Sequence, residues 1–351
     1  MTLHNNPTKH FLTLKTQTPS AILALVHRSL MFKHHKYHGD GKTVVPASAV
    51  NQLAGKTLAL LFTKKSTRTR ISGEAAWAAL GGHAMFLGAG DIQLGDVAKG
   101  GESWRDTSTV VGSMADAVFA RLGAHSELEE LAAYSAAPVV NALTAKFHPM
   151  QALADIMTLY EAVLGPAAVA SLVATNKPLP PLAGVTVAWV GDANNIINSL
   201  LVSLPRIGVN VAVATPVGYD IDDDIQDFVA AEAAAPSPYP YGSVTYTRDP
   251  RVAVRNADFI VTDTWVSMGQ EAEKSAKLRA FAGYKVTEAM ARDGGAKSDW
   301  HFMHCLPRKL EEVDDEVFYS KRSLVFPEAE NRKWTAMAVF EHVSGNNPAN
   351  I

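Results

Sequence analysis

Apolar residues in this chain fall into short continuous runs separated by longer stretches of helical period, the pattern of buried parallel strands alternating with helices. Strand-like runs lie at 58–62, 84–87, 117–120, 139–142, 185–190, 209–214, 257–262 and from Phe302 towards Pro307. Helical period predicts helices over 71–80, 104–113, 147–163, 222–235 and 270–281, with a last helix from Glu328. From about His10 onward, Ile22, Leu23, Leu25, Val26 and Leu30 recur on one helical face and predict an amphipathic first helix. The stretch 165–184, rich in glycine and proline, divides two such α/β series. The expected fold class is α/β with two domains, each a parallel β-sheet flanked by helices. Residues 236–247 read as a turn-rich surface segment or a hairpin.

Length agrees with that division, because 351 residues are long for one core. With 47% hydrophobic residues, 19% charged residues and a formal net charge of -3, the composition is that of a soluble globular protein without a nucleic-acid field. Any anion site must therefore be local. A single cysteine, Cys305, excludes an internal disulfide framework and a cysteine-rich metal site. No apolar run approaches the roughly 20 residues expected of a membrane span. The amino terminus lacks acidic residues before Asp40, a bias shared with organelle transit peptides and equally compatible with a mature first helix.

The chemistry gathers at the ends of the strand-like runs. Ser66-Thr67-Arg68-Thr69-Arg70 follows the first run and opens a helix. Unpaired N–H groups and the positive end of the helix dipole favour a phosphate there, and Arg68 can add a forked contact. The alternative is a hydroxyl cap with solvated arginines. The loop 88–101 is glycine-rich and contains Gln93, which suits a contact arm or lid as well as surface slack. Arg121 ends the third run, where parallel sheets bind ligands. His148 and Gln151 share a helix face behind Pro149, a position equally suited to a structural histidine. The turn Gly191-Asp192-Ala193-Asn194-Asn195 follows a strand but lacks the G-x-G-x-x-G spacing, which disfavours a nicotinamide site. Asp263 ends another run, followed by Ser267-Met268-Gly269. Singly, Asp263 could cap a helix, Cys305 could be a small buried hydrophobe and Arg332 could be a solvated helix start. Together these bland readings fail, because separate strand ends each deliver a group compatible with a phosphate, an amide or a zwitterion.

Those motifs, with His148-Pro149-Met150-Gln151, His304-Cys305-Leu306-Pro307-Arg308, Ser113-Met114-Ala115-Asp116-Ala117 and the block 311–334, occur in the order found in ornithine carbamoyltransferases. The chain resembles that family over nearly its whole length. The resemblance implies a carbamoyl phosphate-binding domain over 1–150, completed by the C-terminal helix at about 330–351, and an ornithine-binding domain over 151–329. It implies that Ser66, Thr67, Arg68, Thr69 and Arg121 hold the phosphate. Gln93 corresponds to a residue that reaches a neighbouring subunit's phosphate in a homotrimer. His148 and Arg332 would donate to the carbamoyl oxygen, while Gln151 and the carbonyls of Cys305 and Leu306 would hold its nitrogen, the Leu-Pro bond being cis. Asn195 would bind the ornithine carboxylate, Asp263 and Ser267 its α-ammonium, and Met268 would add a backbone contact. The implied catalytic set is Arg121, His148, Asp263, Cys305 and Arg332. Carbamoyl phosphate and L-ornithine are the implied substrates, with no metal, cofactor, nucleic acid or membrane. Putrescine or N-acetylornithine as acceptor, and a catalytically silent anion binder, are the alternatives. Residues 323–334 look more like eukaryotic members, which implies the mitochondrial matrix, with the cytoplasm as alternative. Glycines after Gly95 exceed what the family leads one to expect.

Overall fold

Thr18 begins the first long helix by accepting the N–H of Ala21 on its hydroxyl, with Pro19 at the first helical position, where a missing N–H costs nothing. The computed structural model describes residues 10–39, 46, 49, 51–95, 97–266 and 274–345. Helix α1 is Pro19–His38. Residues before it do not continue the helix: Phe11 bridges to Val140, and Leu14–Thr16 is a single 3₁₀ turn. The described residues form two compact units. One comprises the chain up to Leu153, Ala167–Lys177 and the chain from Arg332 on. The other comprises Ala154–Pro166 and Pro178–Asn331.

The first unit is built on four parallel strands, β1 (Thr57–Phe62), β2 (His83–Gly88), β3 (Ala117–Arg121) and β4 (Val139–Leu143), in the order β2-β1-β3-β4. Helices α2 (Arg68–Ala79), α3 (Trp104–Met114) and α4 (His125–Tyr134) connect them, and α5 (Pro149–Thr175) follows. Helix α4 escapes the sequence reading because its apolar face reduces to Leu128, Leu131 and Ala132. Gly73 meets Phe119 so closely that an added Cβ would lie 2.8 Å from the ring, which fixes the approach of α2 to the sheet. Phe340 then packs edge-on between Trp77 and Phe119, its ring centroid 5.3 Å from each. Arg28 holds Glu341 through two hydrogen bonds of 2.7 and 2.6 Å. The chain after Arg332 thus fills the core of the unit formed by the amino-terminal strands.

Helix α5 overruns the expected divider. Gly165, at φ 73 and ψ 165, breaks it without ending it, and helical structure resumes through Thr175. By length and composition α5 could cross a membrane, contrary to the sequence expectation. The break shortens its first straight segment to roughly 16 residues, about 24 Å at the helical rise, and buried Gln151, Asp155 and Thr158 line it.

The second unit has five parallel strands, β5 (Thr186–Val190), β6 (Asn210–Ala214), β7 (Val244–Thr247), β8 (Phe259–Val261) and β9 (His301–Met303), in the order β7-β6-β5-β8-β9. The helices are α6 (Asn195–Leu201), α7 (Asp223–Ala234), α8 (Pro250–Ala253), α9 (Lys274–Ala280), α10 (Glu288–Gly294), α11 (Asp315–Phe318) and α12 (Val325–Val343). Residues 236–247 are not a hairpin, since their strand pairs parallel to β6 at the sheet edge. The last helix starts three residues before Glu328, because Pro327 falls within its first turn and needs no N–H partner. Trp265, Phe281, Tyr284, Trp300, Phe302 and Phe318 form much of this core.

Candidate active site

In both sheets the direction of winding reverses beside the strand where the sheet starts, and the carboxyl ends flanking that reversal form the natural ligand crevice. In the first unit the reversal lies between β1 and β3, where Phe62 and Arg121 stand in register. The Ser66 hydroxyl accepts the N–H of Thr69 at 3.2 Å, which folds the loop after β1 onto the start of α2. Amides at a helix start are the groups that suit an anion. Thr69 is buried, Ser66 and Arg68 are half-buried, and Thr67 is exposed. Arg70 follows the solvated alternative, pairing with Glu74 at 2.9 Å and stacking on Phe86.

Arg332 ties two of the other expected residues together. Its Nη1 donates to Gln151 Oε1 at 2.6 Å and its Nη2 to Thr69 Oγ1 at 3.1 Å. A planar guanidinium serves two acceptors in this way because its N–H groups diverge in a fixed fork. His148, at the N-cap of α5, is buried, and burial holds its pKa well below the ordinary imidazole range, assisted by Arg332, Arg121 and Arg68. It is therefore a neutral imidazole in a positive field, able to donate one hydrogen bond without adding charge. Gln93 lies apart on an exposed loop, which the Leu94–Glu102 bridge closes.

In the second unit the reversal lies between β5 and β8. Gly191 makes the turn after β5 at φ 156, where an added Cβ would lie 3.0 Å from Thr262 Oγ1. Asn194 caps α6 by accepting the N–H groups of Ile196 and Ile197 on Oδ1. Its Nδ2 donates to Asp263 Oδ2 at 2.8 Å. Asn195, the expected ligand, is half-buried at the first position of α6. Asn194, which sequence reasoning passed over, was detectable as a capping residue before an apolar helix.

Asp263 is buried, and burial raises its pKa against the opposing effects of His304 and of hydrogen bonds from Cys305 and the Thr264 N–H. Cys305 reaches it because β8 and β9 are paired, with Val261 opposite Met303. The Cys305 Sγ donates to Asp263 Oδ1 at 3.1 Å, and burial followed by Asp263 and Glu328 raises the thiol pKa well above its ordinary value. The Leu306–Pro307 bond is cis, and Leu306 has φ 60. Its N–H donates to His304 Nδ1 at 2.9 Å, which places the proton of a neutral His304 on Nε2. That nitrogen is 3.9 Å from Glu312 Oε2, which accepts the N–H of Lys309, while Glu312 Oε1 accepts that of Trp265. Ser267 and Met268 lie outside the described residues.

A buried ion pair supports the same turn: Lys277 Nζ, on α9, is 2.6 Å from Asp192 Oδ2. Burial raises the Asp192 pKa, and Lys277 opposes that shift. Neither residue was anticipated, since an isolated lysine on a charged helix carries no signal of burial.

Residues 9–161 match the model of the aspartate/ornithine carbamoyltransferase carbamoyl-P binding domain, and residues 183–343 match that of the Asp/Orn binding domain. A mitochondrial ornithine carbamoyltransferase of Coccidioides immitis is 48% identical, with 95% of this chain and 92% of that protein aligned. A mitochondrial ornithine carbamoyltransferase of Schizosaccharomyces pombe is 43% identical, with coverage of 95% and 93%. Among solved structures, one of a mitochondrial ornithine carbamoyltransferase from Coccidioides immitis has a TM-score of 0.84 at 43% identity, covering 97% of this chain and 99% of that one. The ornithine carbamoyltransferase of Pyrococcus furiosus gives a TM-score of 0.82 at 38% identity, with coverage of 96% and 97%.

Proposed function

Because the chain belongs to the aspartate/ornithine carbamoyltransferase family, we propose that it transfers the carbamoyl group of carbamoyl phosphate to the δ-amine of L-ornithine, giving L-citrulline and phosphate. The observation that carries this reading is the division of chemistry between two switch points. Three guanidinium groups surround a neutral histidine in one unit, and a buried carboxylate with three donors stands in the other.

Residues 1–150, with the chain from about 330 onward, bind carbamoyl phosphate. Ser66, Thr67, Arg68, Thr69 and Arg121 hold its phosphate through hydroxyls, helix-start amides and guanidinium groups, as suits a dianion. His148 and Arg332 donate to the carbamoyl oxygen, and Gln151 and the carbonyls of Cys305 and Leu306 accept from its NH₂. Residues 151–329 bind ornithine: Asn195 takes the α-carboxylate, Asp263 and Ser267 the α-ammonium, and Met268 adds a backbone contact. An ammonium ion suits Asp263, since a buried carboxylate is favoured by a cation beside it.

The δ-amine attacks as the free base, and its lone pair forms the new C–N bond. The carbonyl π electrons move onto oxygen, where donors already in place stabilise the developing charge. Collapse of the tetrahedral species breaks the C–O bond to phosphate, which leaves with that electron pair and takes up the proton that the amine sheds. Phosphate is a good leaving group, so no covalent enzyme intermediate is required, and Cys305 serves as a protonated positioning group.

The active unit is a homotrimer in which Gln93 of the partner subunit reaches the phosphate. The compartment is the mitochondrial matrix, following the names of the fungal relatives. Isotope-labelled carbamoyl phosphate tests the reaction: label must appear in the ureido carbon of citrulline, and release of label without citrulline would refute the transfer. Mixing inactive Arg68→Ala and Gln93→Ala chains tests the shared site. Partial recovery on reassembly is expected, whereas monomers with full activity would contradict it.

A further inference from the structure

Asp155 on α5 and Glu328 on α12 form a buried carboxyl pair in the second unit, 3% and 2% exposed, that the transfer chemistry leaves unused. Their side chains are hydrogen-bonded to each other. One turn further along the same helices, Asn331 Nδ2 donates to Thr158 Oγ1 at 2.9 Å and Glu161 Oε2 at 2.8 Å. The carboxyl pair is therefore held by a second polar rung between the two helices. Glu328 also reaches the turn after β9, where its Oε2 accepts the N–H of His304 at 3.0 Å.

Two ionised carboxylates have only acceptors, so a hydrogen bond between them requires a proton. Burial makes two adjacent negative charges still less tenable. Burial first, and then Asp155, raise the Glu328 pKa well above the ordinary range, with Asp263 acting in the same direction and the His304 N–H opposing it.

We propose that Asp155 and Glu328 hold one proton between them, with Glu328 as the neutral acid, and that Glu328 is a positioning residue for the turn from His304 to Leu306. The Glu328 hydroxyl donates to Asp155, and its carbonyl oxygen accepts from His304. The accepted N–H belongs to the residue before Cys305, whose thiol reaches Asp263. Leu306 closes back on His304 Nδ1. Fixing the His304 amide therefore fixes the direction of the Cys305 thiol and of the carbonyls that follow. This role rests on the reading of that turn as part of the transfer site.

A carboxamide reproduces both hydrogen bonds of a neutral acid, one donated and one accepted, whereas a methyl group reproduces neither. Glu328→Ala should lower kcat by about tenfold or more through misplacement of the turn. Glu328→Gln should recover most of that loss. In infrared spectra, the wild-type protein at neutral pH should show the C=O band of a protonated carboxylic acid, missing from Glu328→Gln. Absence of that band, a Glu328→Gln protein as impaired as Glu328→Ala, or one that fails to fold would each overturn the proposal. The band is read without any substrate, so failure of the transfer reaction would be distinguishable from failure of the proton assignment.

Discussion

Cys305 Sγ donates to Asp263 Oδ1 at 3.1 Å, so the chain's single cysteine is held as a thiol against a carboxylate. Its pKa lies well above the ordinary 9.0 because of burial and then of Asp263. At neutral pH, iodoacetamide should alkylate Cys305 more slowly than a free thiol, since the thiolate is the nucleophile. Cys305→Ala should lower turnover without abolishing it. A carbamoylated cysteine trapped during turnover and detected by intact mass would contradict the positioning role. The linkage has one sign: the folded pKa exceeds the unfolded one, so this contribution to stability is complete below about 9 and is lost as pH rises through the folded value.

His148 gives the opposite pH signature. Its pKa is lowered by burial and by Arg332, Arg121 and Arg68, so the unfolded chain takes up a proton below about 6.5 before the folded chain does. Stability associated with this group is present above 6.5 and is lost as pH falls towards the depressed folded value. Ring resonances of His148 followed by NMR should remain those of neutral imidazole through that range. A titration centred near 6.5 would contradict the neutral-donor role. His148→Asn should lower kcat about 100-fold, the cost of removing one donor aimed at the developing charge.

The sequence makes the strand ends legible because parallel strands buried on both faces leave continuous apolar runs, and the chemistry lies just beyond them. Arg121 at the end of β3 and Asp263 after β8 are found that way. Tertiary pairings are a different matter. The capping role of Asn194 is local, but its contact with Asp263 spans 69 positions and has no sequence signature. Glu328 reads only as the start of the last helix, and the packing of α12 against α5 reveals its burial. Gly165 and Pro166 look like a helix end in the sequence, whereas α5 resumes after one residue of positive φ and runs to Thr175. Segment 236–247 hid a strand because an edge position exposes half its residues, so the apolar run is interrupted.

Arg332 should not be replaceable by lysine. Lys has no fork to serve Gln151 and Thr69 together, so one buried acceptor would lose its partner at a cost of about 1–3 kcal/mol. Steady-state kinetics of Arg332→Lys should show a raised KM for carbamoyl phosphate and a lowered kcat, with KM for ornithine changed less. An Arg332→Lys enzyme with wild-type constants would contradict the forked contact.

Lys277 and Asp192 are both buried, so losing one leaves the other charged without a partner. Lys277→Met should destabilise the protein by about 3–5 kcal/mol in denaturant unfolding. Adding Asp192→Asn should restore part of that loss by removing the stranded charge. Equal stability of Lys277→Met and wild type would show that the pair contributes nothing to the turn after β5.

Carbamoyl transfer to an ornithine held at Asp263 is read from the acceptor profile of the wild-type enzyme and Asp263→Ala. Carbamoyl phosphate is supplied with ornithine, putrescine, N-acetylornithine or aspartate, and the carbamoylated product is quantified. Recognition of ornithine by Asp263 predicts turnover with ornithine far above the other three, and a sharp loss of ornithine turnover in Asp263→Ala. Equal or faster turnover with putrescine, which has no α-ammonium or α-carboxylate, would contradict it, as would an Asp263→Ala enzyme with undiminished citrulline formation.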